Sequence, residues 1–349
     1  MGGNGKGVVF LYRSRDRTQW EAVGPVLTGD PIYTSAYDVN SQTLFVAVNS
    51  EFYGPSICRS QDFGASWDTG GSGFHYAADD AEKVTQVWSI RPTNRGVVYA
   101  GVDASGLFLS DNGGDSWCEL SALREHPTHD HWGPGYGGKC LHTIGLDPFN
   151  DERLYIACSV GGIYRSVDAG DTWDPISKGI RAEFLPDGQQ FPQAGQCVHK
   201  FALSPARAGR IWLQDHGGVY RSDDGGDTWL NIGESLPSDF GFPIVAHPTE
   251  ADTAYVFPVE RWPRWSPDNM LSVHRTTDAG GHWERLANGL PMPTYTGVLR
   301  DGMRLDSESP VGIYFGTTSG SLYHSADEGA SWHAIAHQLP RIYSVEVVP

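Results

Sequence analysis

Two short stretches place histidine beside cysteine at matching positions. GKCLHTIGLDP (Gly138–Pro148) and GQCVHKFALSP (Gly195–Pro205) align without a gap, so Cys140 matches Cys197 and His142 matches His199. His75, His126, His129, His131 and His216 stand on loops nearby in the repeat pattern. Imidazoles mixed with carboxylates make a borderline transition-metal environment. A catalytic metal takes about three protein ligands and keeps one position open for water. His142, His199 and His216 are the candidate ligands of one divalent ion, with Asp215, Glu260 and Asp301 available to complete the set. The competing reading of both His–Cys pairs is packing inherited from a repeat.

Four acids, Asp103, Asp215, Glu260 and Asp301, are candidate catalytic carboxylates. Glycoside hydrolysis commonly needs two such groups, one protonated and one ionised. Against this, an Asp near Gly is also a frequent turn residue. Trp132, Trp262 and Trp265 with Arg261 and Arg264 could form a stacking platform for a sugar or an anion, or a long loop packed on itself. Gln86 and Tyr343, at the starts of strands that point toward the same mouth, are further substrate-binding candidates.

These residues must be held by something, and the chain repeats itself. Six octapeptides recur: SQDFGASW (Ser60–Trp67), SDNGGDSW (Ser110–Trp117), SVDAGDTW (Ser166–Trp173), SDDGGDTW (Ser222–Trp229), TTDAGGHW (Thr276–Trp283) and SADEGASW (Ser325–Trp332). A decayed copy, SRDRTQW, lies at Ser14–Trp20. The spacing of about 50 residues is that of a propeller blade. Alternating runs such as GGVYRS and WLNI flank each copy, so the octapeptide reads as the turn of an antiparallel pair. Upstream, pairs such as HKFALSPARAGRIWLQ add two more strands. Four antiparallel strands repeated radially make a β-propeller.

Inner strands are placed near Ile32, Gln86, His142, His199, Phe242, Asp301 and Tyr343. The expectation is an all-β chain, a single seven-bladed β-propeller of four-stranded blades occupying 1–349. The blades fall near 30–70, 84–120, 139–178, 196–233, 240–287, 299–336, and 341–349 plus 1–24. The C-terminal strand YSVEVVP would pair with the N-terminal strands and close the ring, leaving no free sheet edge. The octapeptides then lie on one face with short turns. The long, dissimilar loops that carry the candidate residues lie on the other, called the top. Irregular loops on a rigid scaffold are where binding residues are usually carried.

The octapeptides resemble the structural turns of Asp-box (BNR-repeat) propellers, a group that includes sialidases, other glycoside hydrolases and photosystem II stability/assembly factor-like proteins. The resemblance covers essentially the whole chain and implies that the boxes stand away from the active face. It stops short of the sialidases: their Arg-Ile-Pro signature is missing, and SIRPTN (Ser89–Asn94) has the wrong order. Two-propeller xyloglucan hydrolases share the blade type, but the cleft between their propellers has no counterpart in one propeller. The assembly factors match a single propeller best, and their role is protein binding.

Composition narrows the partners. Lys+Arg 25 against Asp+Glu 42 gives a formal net charge of −17. Nucleic-acid binding needs a basic face that displaces counterions from phosphates, so neither nucleic acid nor an anionic membrane is expected. Five scattered cysteines do not form a disulfide framework, and no apolar leader opens the chain, so a cytoplasmic location is the default expectation. The sequence therefore points to a hydrolase or lyase acting on a small polar or carbohydrate-like substrate at the top face, with one divalent metal as candidate cofactor. The alternatives are a glycoside hydrolase that uses a carboxylate pair without metal, and a non-catalytic scaffold for a protein partner.

Overall fold

The computed structural model describes residues 2–4 and 6–348; Met1, Gly5 and Pro349, which belong to the expected closing unit, lie outside the described residues. The period-two runs form antiparallel strands, and the chain is an all-β propeller. Four four-stranded sheets begin with the inner strands Val87–Pro92, Leu141–Leu146, Val198–Leu203 and Gly241–Ala246. A three-stranded sheet comprises Ile32–Asp38, Thr43–Ser50 and Gly54–Ser60. The inner strands stand side by side in a closed ring about a central channel.

The expected count of seven four-stranded blades is corrected by the hydrogen bonding. The strands form six sheets, and one of these has eight strands. The cause is a parallel pairing of Asp301 with Ser344, which fuses the strands from 299–336 to those from 341–349 and 1–24. The first sheet is also one strand short, because beyond Gly54–Ser60 the chain makes only an isolated bridge between Arg59 and Asp68. Within the eight-stranded sheet, Ile342–Val345 pairs antiparallel with Gly2–Asn4, joining the two ends of the chain in one ladder.

The core lies between neighbouring sheets. Strands such as Thr43–Ser50, Ile211–Asp215 and Ala254–Pro258 are buried along nearly their whole length because a sheet packs on each face. Phe257, Phe315, Tyr323 and Trp332 pack together across one such interface.

Each octapeptide folds as the same small hydrogen-bonded turn. In the copy at Ser222–Trp229, Asp224 accepts from the Thr228 amide at 2.9 Å and from its hydroxyl at 2.6 Å. The Ser222 hydroxyl donates to Asp224 at 2.8 Å and accepts from the Gly226 amide at 2.8 Å. The pattern recurs around Asp62, Asn112, Asp168, Asp278 and Asp327, and the decayed copy keeps part of it around Asp16. Gly226 sits at φ +99, and a Cβ there would lie 2.4 Å from Ile176 of the preceding sheet. Trp283 reaches across in the same way, its indole N–H donating to the Ile232 carbonyl at 2.7 Å. These turns fasten sheet to sheet and do not border the cavity described next.

Candidate functional site

The channel opens at both faces. The cavity at the octapeptide face is ≈ 770 Å³ and is lined by Arg91, His142, Lys200, Arg304 and Glu346, among others. The cavity at the top face is ≈ 810 Å³. Asp301 borders both. It is buried in an ion pair with Lys200, with Arg304 at 3.5 Å, and this cluster stands between the two mouths. Burial alone would raise the Asp301 pKa, but Lys200 and Arg304 outweigh it and hold the carboxyl below its ordinary range.

The top mouth is built by one local device used repeatedly. Near the start of each inner strand the pairing register slips: between Ile32 and Ser35, Val87 and Ser89, Leu141 and Thr143, Val198 and Lys200, Gly241 and Ile244, and Val298 and Met303. The C-terminal strand skips Tyr343 in the same way, Gly3 pairing with Ser344 and Asn4 with Ile342. A bulge leaves a residue out of the ladder and re-aims its side chain. The residues left out include Tyr33, Trp88, His142, His199, Phe242, Arg300 and Tyr343. Of these, all but His142 line the top mouth. Pro134 to Gly137, Phe184, His216, Arg264 and Arg341 complete the rim from the loops.

The histidines divide into two kinds. His142 is buried and both its nitrogens are engaged: Nε2 donates to the Val198 carbonyl at 2.9 Å, and Nδ1 therefore accepts from the Thr143 hydroxyl at 2.9 Å. It lines the lower cavity, and no lone pair is left for a metal. His199 donates from Nδ1 to the Gly241 carbonyl at 2.6 Å, which leaves Nε2 as an acceptor. His199 and His216 meet edge to face, ring centres 5.5 Å apart. Ligand atoms of Cys197, His199 and His216 lie within 4.8 Å of one another, so among the described residues these three, without His142, are the ones that could hold a metal. Burial pushes the Cys197 thiol up to about 12, with Asp215 adding to it, and burial also draws His199 down to about 3. As it stands the cluster is electrically neutral, and Arg264 and Arg300 are close enough to disfavour protonation of its imidazoles.

The four candidate carboxylates are not brought together. Asp301 sits between the two mouths. Asp215 is fully buried behind the mouth, one oxygen accepting from the Gly217 amide at 3.1 Å and the other without a partner, and burial raises its pKa to about 8. Asp103 is half-buried; burial raises its pKa against the Thr85 hydroxyl that donates to it at 2.9 Å. Glu260 lies in a separate outer cleft of ≈ 630 Å³ with Glu234, Asp239, Arg261 and Trp262.

The stacking candidates also separate. Trp132 is buried and donates to the Tyr164 hydroxyl at 2.8 Å, so its ring packs the interior. Trp262 is 80% exposed at the outer cleft, and Arg261 there is paired with Glu183 and Asp239. Gln86 does not reach the mouth; its carbonyl accepts from the Asp103 amide at 3.0 Å. Arg264 and Tyr343 do line the mouth. The guanidinium of Arg264 lies 5.0 Å from the Tyr136 ring centre, and Tyr343 stacks on Tyr33 at 4.4 Å with 14° between planes. Trp88, Tyr33, Tyr136 and Arg300 were not singled out from sequence. Alignment of the inner strands marks Tyr33 and Trp88 only when a one-residue bulge is allowed for and Arg300 only when a longer slip is, while Tyr136 lies on a loop.

No known family profile matches the chain. By sequence it is similar to xyloglucanases: 24% identical over 282 residues to that of Hypocrea jecorina, covering 70% of this chain and 31% of the relative. The similarity to a xyloglucanase of Acetivibrio thermocellus is 24% over 276 residues, 69% of this chain and 29% of the relative. An oligoxyloglucan-reducing end-specific xyloglucanase of Emericella nidulans is also 24% identical, over 267 residues, 68% of this chain and 31% of that one. The chain thus spans about a third of the length of these relatives. Among solved structures, the GH74 xyloglucanase of Xanthomonas campestris superposes with a TM-score of 0.67 at 16% identity, over 96% of this chain and 52% of that one. YCF48 bound to a D1 peptide superposes with a TM-score of 0.58 at 16% identity, over 92% and 86%. These structural likenesses concern the fold.

Proposed function

We propose that this chain is a carbohydrate-active, glycoside hydrolase-like propeller that takes a saccharide into its top mouth. The observation that carries the reading is the ring of bulge residues. Tyr33, Trp88, Phe242 and Tyr343, joined by Tyr136 and Phe184 from the loops, give apolar faces around a cavity of ≈ 810 Å³. That volume is within the roughly 300–1,000 Å³ of small-ligand sites, and apolar walls with a few convergent polar groups are their usual make-up. The xyloglucanase relatives support carbohydrate as the ligand class. Among the described residues Asp301 is the only carboxylate lining this mouth, and it is ion-paired. Bond cleavage here would therefore draw on His199 and His216 to take up or give a proton; with Cys197 these are also the residues that would hold a divalent ion, which would polarise a bound oxygen. Titration with xyloglucan oligosaccharides, followed by intrinsic fluorescence, tests the reading. Saturable binding weakened about tenfold by Tyr136→Ala or Tyr343→Ala is expected, since stacking faces contribute on the order of 1 kcal/mol or more each. No binding of any neutral or acidic saccharide at millimolar concentration would refute it.

A second reading has its own support. YCF48 is matched over most of its length and its structure contains a bound peptide, so a peptide-binding scaffold remains the alternative. Saccharide-independent capture of extended peptides at the same mouth, abolished by the same substitutions, would decide for it.

A further inference from the structure

The charge of the mouth runs opposite to that of the molecule. The chain carries a formal net charge of −17, yet the top mouth gathers Arg264, Arg300 and Arg341. None of the three has an ion-pair partner among the described residues, whereas the arginines elsewhere are widely paired, Arg59, Arg124, Arg210 and Arg275 among them. The acids near the mouth are already committed. Asp301 is neutralised by Lys200 and Arg304, and Glu183 is paired with Arg261. Asp215 has no exposed atom facing the cavity.

Two of the three guanidinium groups, those of Arg264 and Arg300, are also held in place, and Arg341 stands exposed at the rim. Arg264 lies among the rings of Tyr136, Phe240 and Phe242, with its Nε buried and without a hydrogen-bond partner. It is kept there by backbone at φ 72, a conformation uncommon outside glycine and therefore imposed by its surroundings. Arg300 is anchored by its Nε, which donates to the His199 carbonyl, and it faces the Trp88 ring at 5.9 Å. Arg341 lies 6.0 Å from the ring of Tyr343. A planar guanidinium set on an aromatic face keeps its outer N–H groups free, and their fork matches the two oxygens of a carboxylate or the edge of a sulfate. Cations left unpaired at the rim of an aromatic cavity are a recognition surface for an anion.

We infer that the top mouth selects an acidic saccharide, a sugar carrying a carboxylate or a sulfate ester, with Arg264, Arg300 and Arg341 on the charged group and Tyr33, Trp88, Tyr136 and Tyr343 on the ring faces. The inference rests on the saccharide reading above and narrows it: neutral xylose- and glucose-based chains are then not the preferred ligand. His199 Nε2 and His216 offer neutral polar contacts to hydroxyl groups beside the charge.

The test uses the whole chain and four probes of similar length in calorimetric titration: trigalacturonate, its fully methyl-esterified form, a sulfated galactose oligosaccharide, and a neutral xyloglucan oligosaccharide. Trigalacturonate or the sulfated sugar is expected to bind at least about tenfold more tightly than the methyl ester and the neutral chain, as one charge-assisted contact to an arginine is worth that much. The preference should shrink as salt rises from 20 to 300 mM, both ends lying on either side of the roughly 10 Å screening length at 0.1 M. The double variant Arg264→Gln/Arg341→Gln should bind trigalacturonate no more tightly than its methyl ester, and an unchanged thermal unfolding transition separates lost recognition from lost folding. Tight binding by the carboxylate alone, or by the sulfate alone, supports the proposal and identifies the source of the charge. Equal binding of trigalacturonate and its methyl ester overturns it and leaves the saccharide reading standing. Binding of none of the four overturns both.

Discussion

Asp215 is a carboxyl group folded into a place where its charge is costly. Burial lifts its pKa to about 8 from an ordinary value of 3.8, and only the Gly217 and His216 amides work against that. Between those two values the folded chain keeps a proton that the unfolded chain releases, so this residue makes stability fall as pH rises from about 4 to about 8, and no further above that. Asp215→Asn removes the titration while keeping an oxygen for the Gly217 amide. The melting-temperature difference between variant and parent should be near constant below pH 4 and grow in the variant's favour up to pH 8. A difference that does not change with pH would mean that Asp215 is ionised in the fold. The sequence offered Asp215 as a candidate catalytic carboxylate at the mouth, but its depth was not legible there. The same limit affected the other site residues. Aligned strands located His199, Phe242 and Tyr343, yet placed the starts of three other strands at Ile32, Gln86 and Asp301. A bulge displaces the mouth-facing residue to Tyr33, Trp88 and Arg300, and register slips carry no mark in residue type.

At the scale of the element, the octapeptide is the feature the sequence specified most fully. Its Ser, Asp and Gly positions each have a distinct geometric duty, so the pattern survives in six copies and can be read without a structure. The glycine duty is the strictest. Gly226→Ala would place a methyl group 2.4 Å from Ile176 at φ +99. The expected loss is about 1–3 kcal/mol, from strain at a positive φ and overpacking together. Saccharide binding by the folded fraction should be unchanged, because the turn stands at the far face. Chemical denaturation with a binding titration on the same preparation measures both; weakened binding at full stability would assign these turns a direct role in the mouth. The loops of the top face were far less legible. Trp132 and Trp262 look alike in sequence, but one fills the interior and the other faces solvent, and only tertiary packing distinguishes them.

At the scale of the whole molecule, the ring is held shut by strands from both ends of the chain. Ile342–Val345 gives its one edge to Gly2–Asn4 and its other to Asp301. Deleting residues 341–349 would bare both partners and remove Tyr343 from the mouth. The expected result is loss of a single cooperative thermal transition and association through the exposed strands, visible by calorimetry and size-exclusion chromatography. An unaltered transition temperature would show that the seam contributes nothing. Closure by the C-terminal strand was readable because that strand has no partners of its own in sequence. The fusion of the last strands into one eight-stranded sheet was not readable, since it depends on one pair of residues meeting across the seam.

The Lys200–Asp301 pair sets a buried charged contact at the foot of the top mouth. A polymer threaded through the axis of this propeller would have to part that pair. A ligand that leaves the pair in place presents a chain end, a side branch or a short fragment, and leaves by the aperture it came in through. Length of the ligand beyond the few sugars that fill ≈ 810 Å³ should therefore add nothing to its affinity through the mouth.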